Sequence, residues 1–201
     1  MKLNNEYKAI LFLFKDFLTP YNSRNLSKLV GISHAGMFKL LKKLEIREIL
    51  KPKRIGKAVI YSLNMNNSVA KREIEMALTL EAQNYAKWIE EFDLLKDILE
   101  FVVLFGSIIK DEKSAKDVDI LIIADKKEFN KINQIIRDKN RVLNKKIHLI
   151  LQNNEDFRKD INNKNKVMLD IIKNGIILFG QEKLTKYLEK FFEKWVMQKI
   201  N

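Results

Sequence analysis

Two apolar runs constrain this chain more than any other feature: Phe101 to Phe105, closed at once by Gly106-Ser107, and Asp117-Val118-Asp119-Ile120-Leu121-Ile122-Ile123, opened by two carboxylates. Five consecutive apolar residues followed by Gly-Ser read as a buried strand entering a tight turn, where exposed backbone amides can hold phosphate. Asp117 and Asp119 are two apart, so on a strand both side chains leave the same face. Adjacent anionic groups repel unless a cation lies between them. Oxygen donors on a rigid strand beside a phosphate cradle suit a hydrated Mg2+ shared with a nucleotide, as metal-assisted phosphoryl transfer requires.

Gly106-Ser107, a gap of nine residues and then Asp117-Val118-Asp119-Ile120-Leu121 resembles the signature of the DNA polymerase beta-like nucleotidyltransferases, in particular their minimal members, over roughly residues 95–180. The resemblance implies that Gly106, Ser107 and Lys110 bind the triphosphate and that Asp117 and Asp119 hold Mg2+ or Mn2+. It also implies a third carboxylate on a later strand. The candidate strand, Lys145 to Leu151, follows a helical segment from Phe129 to Leu143 and carries His148 where that acid is expected. An imidazole brings no negative charge, favours softer metals than Mg2+ and weakens a two-metal site. Because histidine as a class titrates near neutrality, it can instead serve as a general base; the alternative is a strand histidine that fills space or donates a hydrogen bond. Glu155 and Asp156 read as the start of a helix capped by Asn153 or Asn154, not as metal ligands.

The charge is unevenly placed. Residues 1–66 hold 13 Lys or Arg against 4 Asp or Glu, a net +9, whereas the whole chain is +12, leaving +3 for the rest. Such asymmetry points to a polyanionic partner at the N-terminal end, most economically nucleic acid, against the alternative of a merely solvated basic face. The pattern there supports the first. Tyr7 to Phe17 is apolar and helical, and residues 23–45 read as two helices broken at Gly31. In this pair Leu26, Leu29 and Val30 are expected to pack inward, with Met37, Leu41 and Leu44 opposite them and Ser33 as a cap. Ser33, His34, Phe38, Lys39 and Lys42 then point outward, as on a recognition helix. Residues 49–63 alternate toward their end around a basic, Gly-containing tip with Arg54 and Lys57, so residues 5–65 resemble a winged helix, which implies double-stranded DNA as partner and transcription regulation as a role.

From about Asn67 to Glu100 a helical stripe of Ile74, Leu78, Tyr85, Trp88, Phe92, Leu95 and Leu99 is interrupted at Glu81. It packs either on its own domains or on a second copy, giving a homodimer suited to a palindromic site. The aromatics at helical spacing read as core or interface rather than as base-stacking groups. Asn165 to Ile172 reads as helix, Ile176 to Phe179 as a short strand, and Glu182 to Ile200 as an amphipathic closing helix carrying Leu184, Leu188, Phe191, Phe192, Trp195 and Val196.

With 201 residues and no cysteine, disulfides and thiolate zinc sites are excluded, and a cytoplasmic setting is expected. No uncharged apolar run approaches the roughly 18 residues of a membrane span. The expected organisation is therefore α+β: a winged helix at 1–66, a connecting helix at 67–100, and a nucleotidyltransferase-like mixed sheet at 101–201. Three functions fit: transfer of a nucleoside monophosphate from a nucleoside triphosphate to a hydroxyl; DNA-binding regulation with a degenerate site; and a structural DNA-associated role.

Overall fold

The computed structural model describes residues 3–192. It is α+β with two sheets, and the described residues divide into two compact units, one running to Leu80 and resuming at Thr185, the other Glu81–Leu184.

In the first unit, short polar side chains set the helix starts. Asn4, Asn22 and Ser33 each accept a backbone N–H three residues on, at 2.8, 2.9 and 3.0 Å, and so begin α1 (Asn5–Lys15), α2 (Ser23–Val30) and α3 (His34–Ile46). Between α2 and α3, Gly31 takes the left-handed conformation at φ 79° and donates to the Ser27 carbonyl, which lets the chain reverse in three residues. A short strand, β1 (Tyr21–Asn22), joins the hairpin of β2 (Leu50–Ile55) and β3 (Ala58–Leu63) in an antiparallel sheet ordered β1-β3-β2, with Gly56-Lys57 as the hairpin loop. Ile10, Phe14, Leu26, Met37, Leu41 and Leu44 are wholly buried. Leu29 is not: it is 46 % exposed, and Ser27 is buried instead. At 3.6 residues per turn, Leu26, Val30 and Ser27 share an arc of about 100°, and Leu29 lies about 110° from its centre.

The segment after the hairpin is not one continuous α-helix. It runs as α4 (Ser68–Ala82), a 3-10 turn at Gln83–Tyr85, α5 (Ala86–Phe92) and a second 3-10 turn at Asp93–Leu95, with Tyr85 leaving helical geometry at φ −120°, ψ 35°. Of the stripe, Ile74, Leu78, Trp88, Phe92, Leu95 and Leu99 are buried within the chain and Tyr85 is half-buried.

The second unit is built on β4 (Phe101–Phe105), β5 (Asp117–Ile123), β6 (Lys146–Gln152) and β7 (Ile176–Phe179), ordered β6-β5-β4-β7. The helix α6 (Phe129–Val142) makes the crossover that parallel β5 and β6 need, while β4 runs antiparallel to β5 and β7. Alternate residues of the sheet, including Val102, Leu104, Ile120, Ile122 and Ile147, join Trp88, Phe92, Ile132 and Ile136 in one core. The opposite face lies under α7 (Asn154–Asn162) and α8 (Lys166–Asn174), where Phe101 meets Phe157 edge-on at 5.0 Å. Cover on both faces explains why these strands read as continuous apolar runs. Asn153 caps α7 by accepting from Glu155 and Asp156 N–H at 2.8 and 3.1 Å. The last described helix, α9 (Gln181–Phe191), buries Leu184 and Leu188, and Phe192 stacks on Phe14 at 5.7 Å; Trp195 and Val196 lie outside the described residues. Among the described residues no helix is long and apolar enough to cross a membrane.

Candidate functional site

Register decides what the two aspartates meet. Asp119 pairs with Phe105 across the antiparallel β4 and with His148 across the parallel β6, so the turn that follows Phe105 and the imidazole flank one carboxylate. Asp117 and Asp119 share the side of β5 away from the Ile120–Ile122 core face, and side-chain exposures of 42 % and 27 % leave both open to a ligand. Gly106 sits against Asp119 with φ 80°, and a Cβ there would lie 2.1 Å from Asp119 Oδ2. Only glycine lets the turn and the carboxylate come this close. Ser107 is exposed in the 3-10 turn Gly106–Ile109, and its carbonyl accepts from Lys110 and Asp111 N–H at 3.0 and 3.1 Å. Lys110 is exposed at the end of that turn.

His148 lies beside both acids: Nδ1 is 3.4 Å from Asp119 Oδ1 and Nε2 is 3.9 Å from Asp117 Oδ1, with its side chain 58 % exposed. Among the described residues no group of three or more His, Asp or Glu side chains is arranged to hold a metal ion. What the site presents is two carboxylates and an imidazole at the end of neighbouring strands, the carboxylates being the hard oxygen donors of the three. Glu155 and Asp156 stay in the first turn of α7, as their place after Asn153 suggests, with Asp156 accepting from Asn153 Nδ2 at 2.6 Å.

The loop between β4 and β5 is tied down by contacts that no sequence pattern announces. The Lys145 ammonium donates to the Ala115 carbonyl, and Asp111 Oδ1 accepts from Lys113 N–H at 3.0 Å. Hydrogen bonding to Ser114 first, then to the Lys113 backbone, holds the Asp111 carboxyl below the usual carboxylate range.

In the first unit, α3 turns Phe38, Lys39 and Lys42 to solvent, Phe38 being 47 % exposed, and Arg54 and Lys57 are exposed at the hairpin tip. Two of the expected contact residues are engaged locally: Ser33 Oγ caps α3, and His34 Nε2 is 2.8 Å from Ser23 Oγ. Lys42 Nζ pairs with Glu45 at 2.8 Å, and that hydrogen bond raises the ammonium pKa. A shallow concavity on α3 is lined by Phe38, Lys39, Lys42, Lys43, Ile46 and Arg47. Sequence reasoning missed the role of Arg47, whose guanidinium bridges Glu6 of α1 and Glu73 of α4.

Among solved structures, the chain is similar to Lactococcus lactis ZitR in complex with DNA at 22 % identity and TM-score 0.33, covering 46 % of this chain and 64 % of that one. It thus spans less than two thirds of that chain. A variant of the same ZitR matches at 18 % identity and TM-score 0.35, covering 69 % of this chain and 76 % of the other. Both scores lie well below those of a shared global fold. No curated protein matches the sequence. Residues 90–184, just under half of the chain, match the family model described as polymerase beta, nucleotidyltransferase, and so carry a nucleotidyltransferase domain.

Proposed function

We propose that this chain is a DNA-binding regulator: a winged helix-turn-helix unit docks on duplex DNA, and the nucleotidyltransferase-like unit binds a nucleoside triphosphate with Mg2+ or Mn2+. The observation that most supports nucleotide binding is Asp119, which lies against the Gly106 turn on one side and beside His148 on the other. Asp117 and Asp119 would hold the ion, and the backbone amides and hydroxyl of the Gly106-Ser107 turn, with Lys110, would take the phosphates. When bound, the ion would supply charge neutralisation at the phosphate oxygens. His148 in place of a third carboxylate beside the pair favours binding without efficient turnover.

For DNA, the order of three helices and a hairpin, the +9 charge of residues 1–66 and the exposed Lys39, Lys42, Arg54 and Lys57 support docking of α3 with flanking phosphate contacts. A second reading is nucleotidyl transfer, favoured by the half-exposed imidazole. The acceptor hydroxyl would attack the α-phosphorus, its proton would pass to a ring nitrogen of His148, and pyrophosphate would leave.

Calorimetric titration of the nucleoside triphosphate with Mg2+ separates these readings when paired with a labelled-nucleotide transfer assay. Binding by the wild type that Asp119→Asn abolishes, with no label transferred, supports the regulator. Label transfer that depends on Asp119 and His148 supports the enzyme instead, and equal behaviour of wild type and Asp119→Asn contradicts both. His148→Asp is expected to confer transfer, because it restores the missing carboxylate on an intact scaffold.

A further inference from the structure

We propose that α3 reads thymine, with Phe38 as the specificity-determining residue that packs on thymine C5-methyl groups in the major groove. This rests on the DNA-docking reading above. At 3.6 residues per turn, Phe38, Lys42 and Ala35 fall within about 60° on the helix. All three are exposed or half-buried, and the buried Met37, Leu41 and Leu44 occupy the other side.

The hydrogen-bonding groups of this face are few and already directed. Ser33 Oγ accepts the Gly36 N–H at 3.0 Å, and His34 Nε2 lies 2.8 Å from Ser23 Oγ. Between His34 and Ile46 there is no Arg, Asn or Gln, so lysine is the one residue type on this helix that reads guanine or adenine with paired hydrogen bonds. Lys42 is paired with Glu45 at 2.8 Å, and the charges of Lys39 and Lys42 are drawn to phosphate, which brings the helix onto the duplex. Beside the lysines this face presents apolar groups to base edges, namely the Phe38 ring, 47 % exposed and flanked by Lys39, Lys42 and Lys43, and the Ala35 methyl. The one apolar group that a base pair shows in the major groove is the thymine methyl.

The test uses the full-length protein. Duplexes are enriched from a random pool at about 0.15 M salt, near physiological ionic strength. Each thymine of the selected site is then replaced by deoxyuridine, which deletes only the methyl. Affinity is expected to fall about fourfold at each contacted thymine, the worth of one buried methyl. Phe38→Ala, at a half-exposed position, is expected to keep the wild-type melting midpoint and to bind thymine and uracil sites equally, while Phe38→Leu retains a preference. Tight binding that ignores every thymine-to-uracil exchange, or a selected site recognised through guanine, would overturn thymine reading and leave DNA docking standing. Failure to bind any duplex at low salt would overturn both.

Discussion

Gly106→Ala perturbs the candidate nucleotide site through two separable effects. The native φ of 80° is left-handed, which costs an alanine about 1–2 kcal/mol. The new Cβ would also stand 2.1 Å from Asp119 Oδ2, with Cγ at 3.0 Å and Cβ at 3.2 Å behind it, so the carboxylate must move by roughly 1 Å to restore contact distance. Forcing Asp119 off its rotamer adds about 0.5–1.5 kcal/mol. A total of about 1.5–3.5 kcal/mol corresponds to a fall of roughly 6–28 °C in the unfolding midpoint of the second unit, read by scanning calorimetry. Because the collision needs the carboxylate, Gly106→Ala placed on Asp119→Ala is expected to cost only the backbone part, giving a coupling of about 0.5–1.5 kcal/mol in a double-mutant cycle. Nucleotide affinity is expected to fall in Gly106→Ala as well, since the displaced carboxylate is the proposed ligand. An unchanged midpoint with undiminished nucleotide binding, or strict additivity of the two mutations, would refute the steric account of Gly106.

Removing the guanidinium with Arg47→Ala leaves Glu6 and Glu73, both largely shielded, without their shared counter-ion; a loss of about 1–3 kcal/mol is expected in chemical denaturation of the first unit. Burial first, and then the hydrogen bond to Asp16, push the Tyr21 hydroxyl from 10.0 up to about 12. A phenol whose folded pKa is raised contributes stability that is complete below pH 10 and lost as pH rises toward 12, so Tyr21→Phe is expected to flatten the alkaline limb of a stability profile over that window. Neutralising Lys39, Lys42, Arg54 and Lys57 together is expected to lower the slope of log affinity against log salt by as much as about 3.6, roughly 0.9 for each DNA phosphate that these cations neutralise; an unchanged slope would mean that these side chains do not meet the backbone.

Much of the second unit was legible because its runs are local and strongly patterned. The apolar stretches at 101–105 and 118–123 read as buried strands, and Asn153, one of two candidate caps, announced the start of α7. The same-face placement of Asp117 and Asp119 followed from the period of a strand alone. Their closeness to His148 depends on the parallel register of β5 and β6, a long-range pairing that the resemblance suggested and periodicity could not. In the first unit the helix pair and hairpin were written in caps and turns, yet Leu29 misled because hydrophobicity was read without its angle on a two-turn helix. The break at Tyr85 was hidden for a related reason: a stripe with three- and four-residue spacing persists through a 3-10 turn, so the pattern stays helical while the axis does not. Nothing in the sequence marked Arg47 or Lys145, whose partners lie 26 to 41 and 30 residues away.

Reciprocal linkage between nucleotide and DNA tests the regulator most directly. The affinity of full-length protein for a labelled duplex is measured by fluorescence anisotropy with and without saturating nucleoside triphosphate and Mg2+, for the wild type and for Asp119→Asn. A shift of about fivefold or more in the wild type, the lower end of ordinary allosteric coupling, that disappears in Asp119→Asn is the expected result. Equal DNA affinity in the presence and absence of bound nucleotide would contradict it.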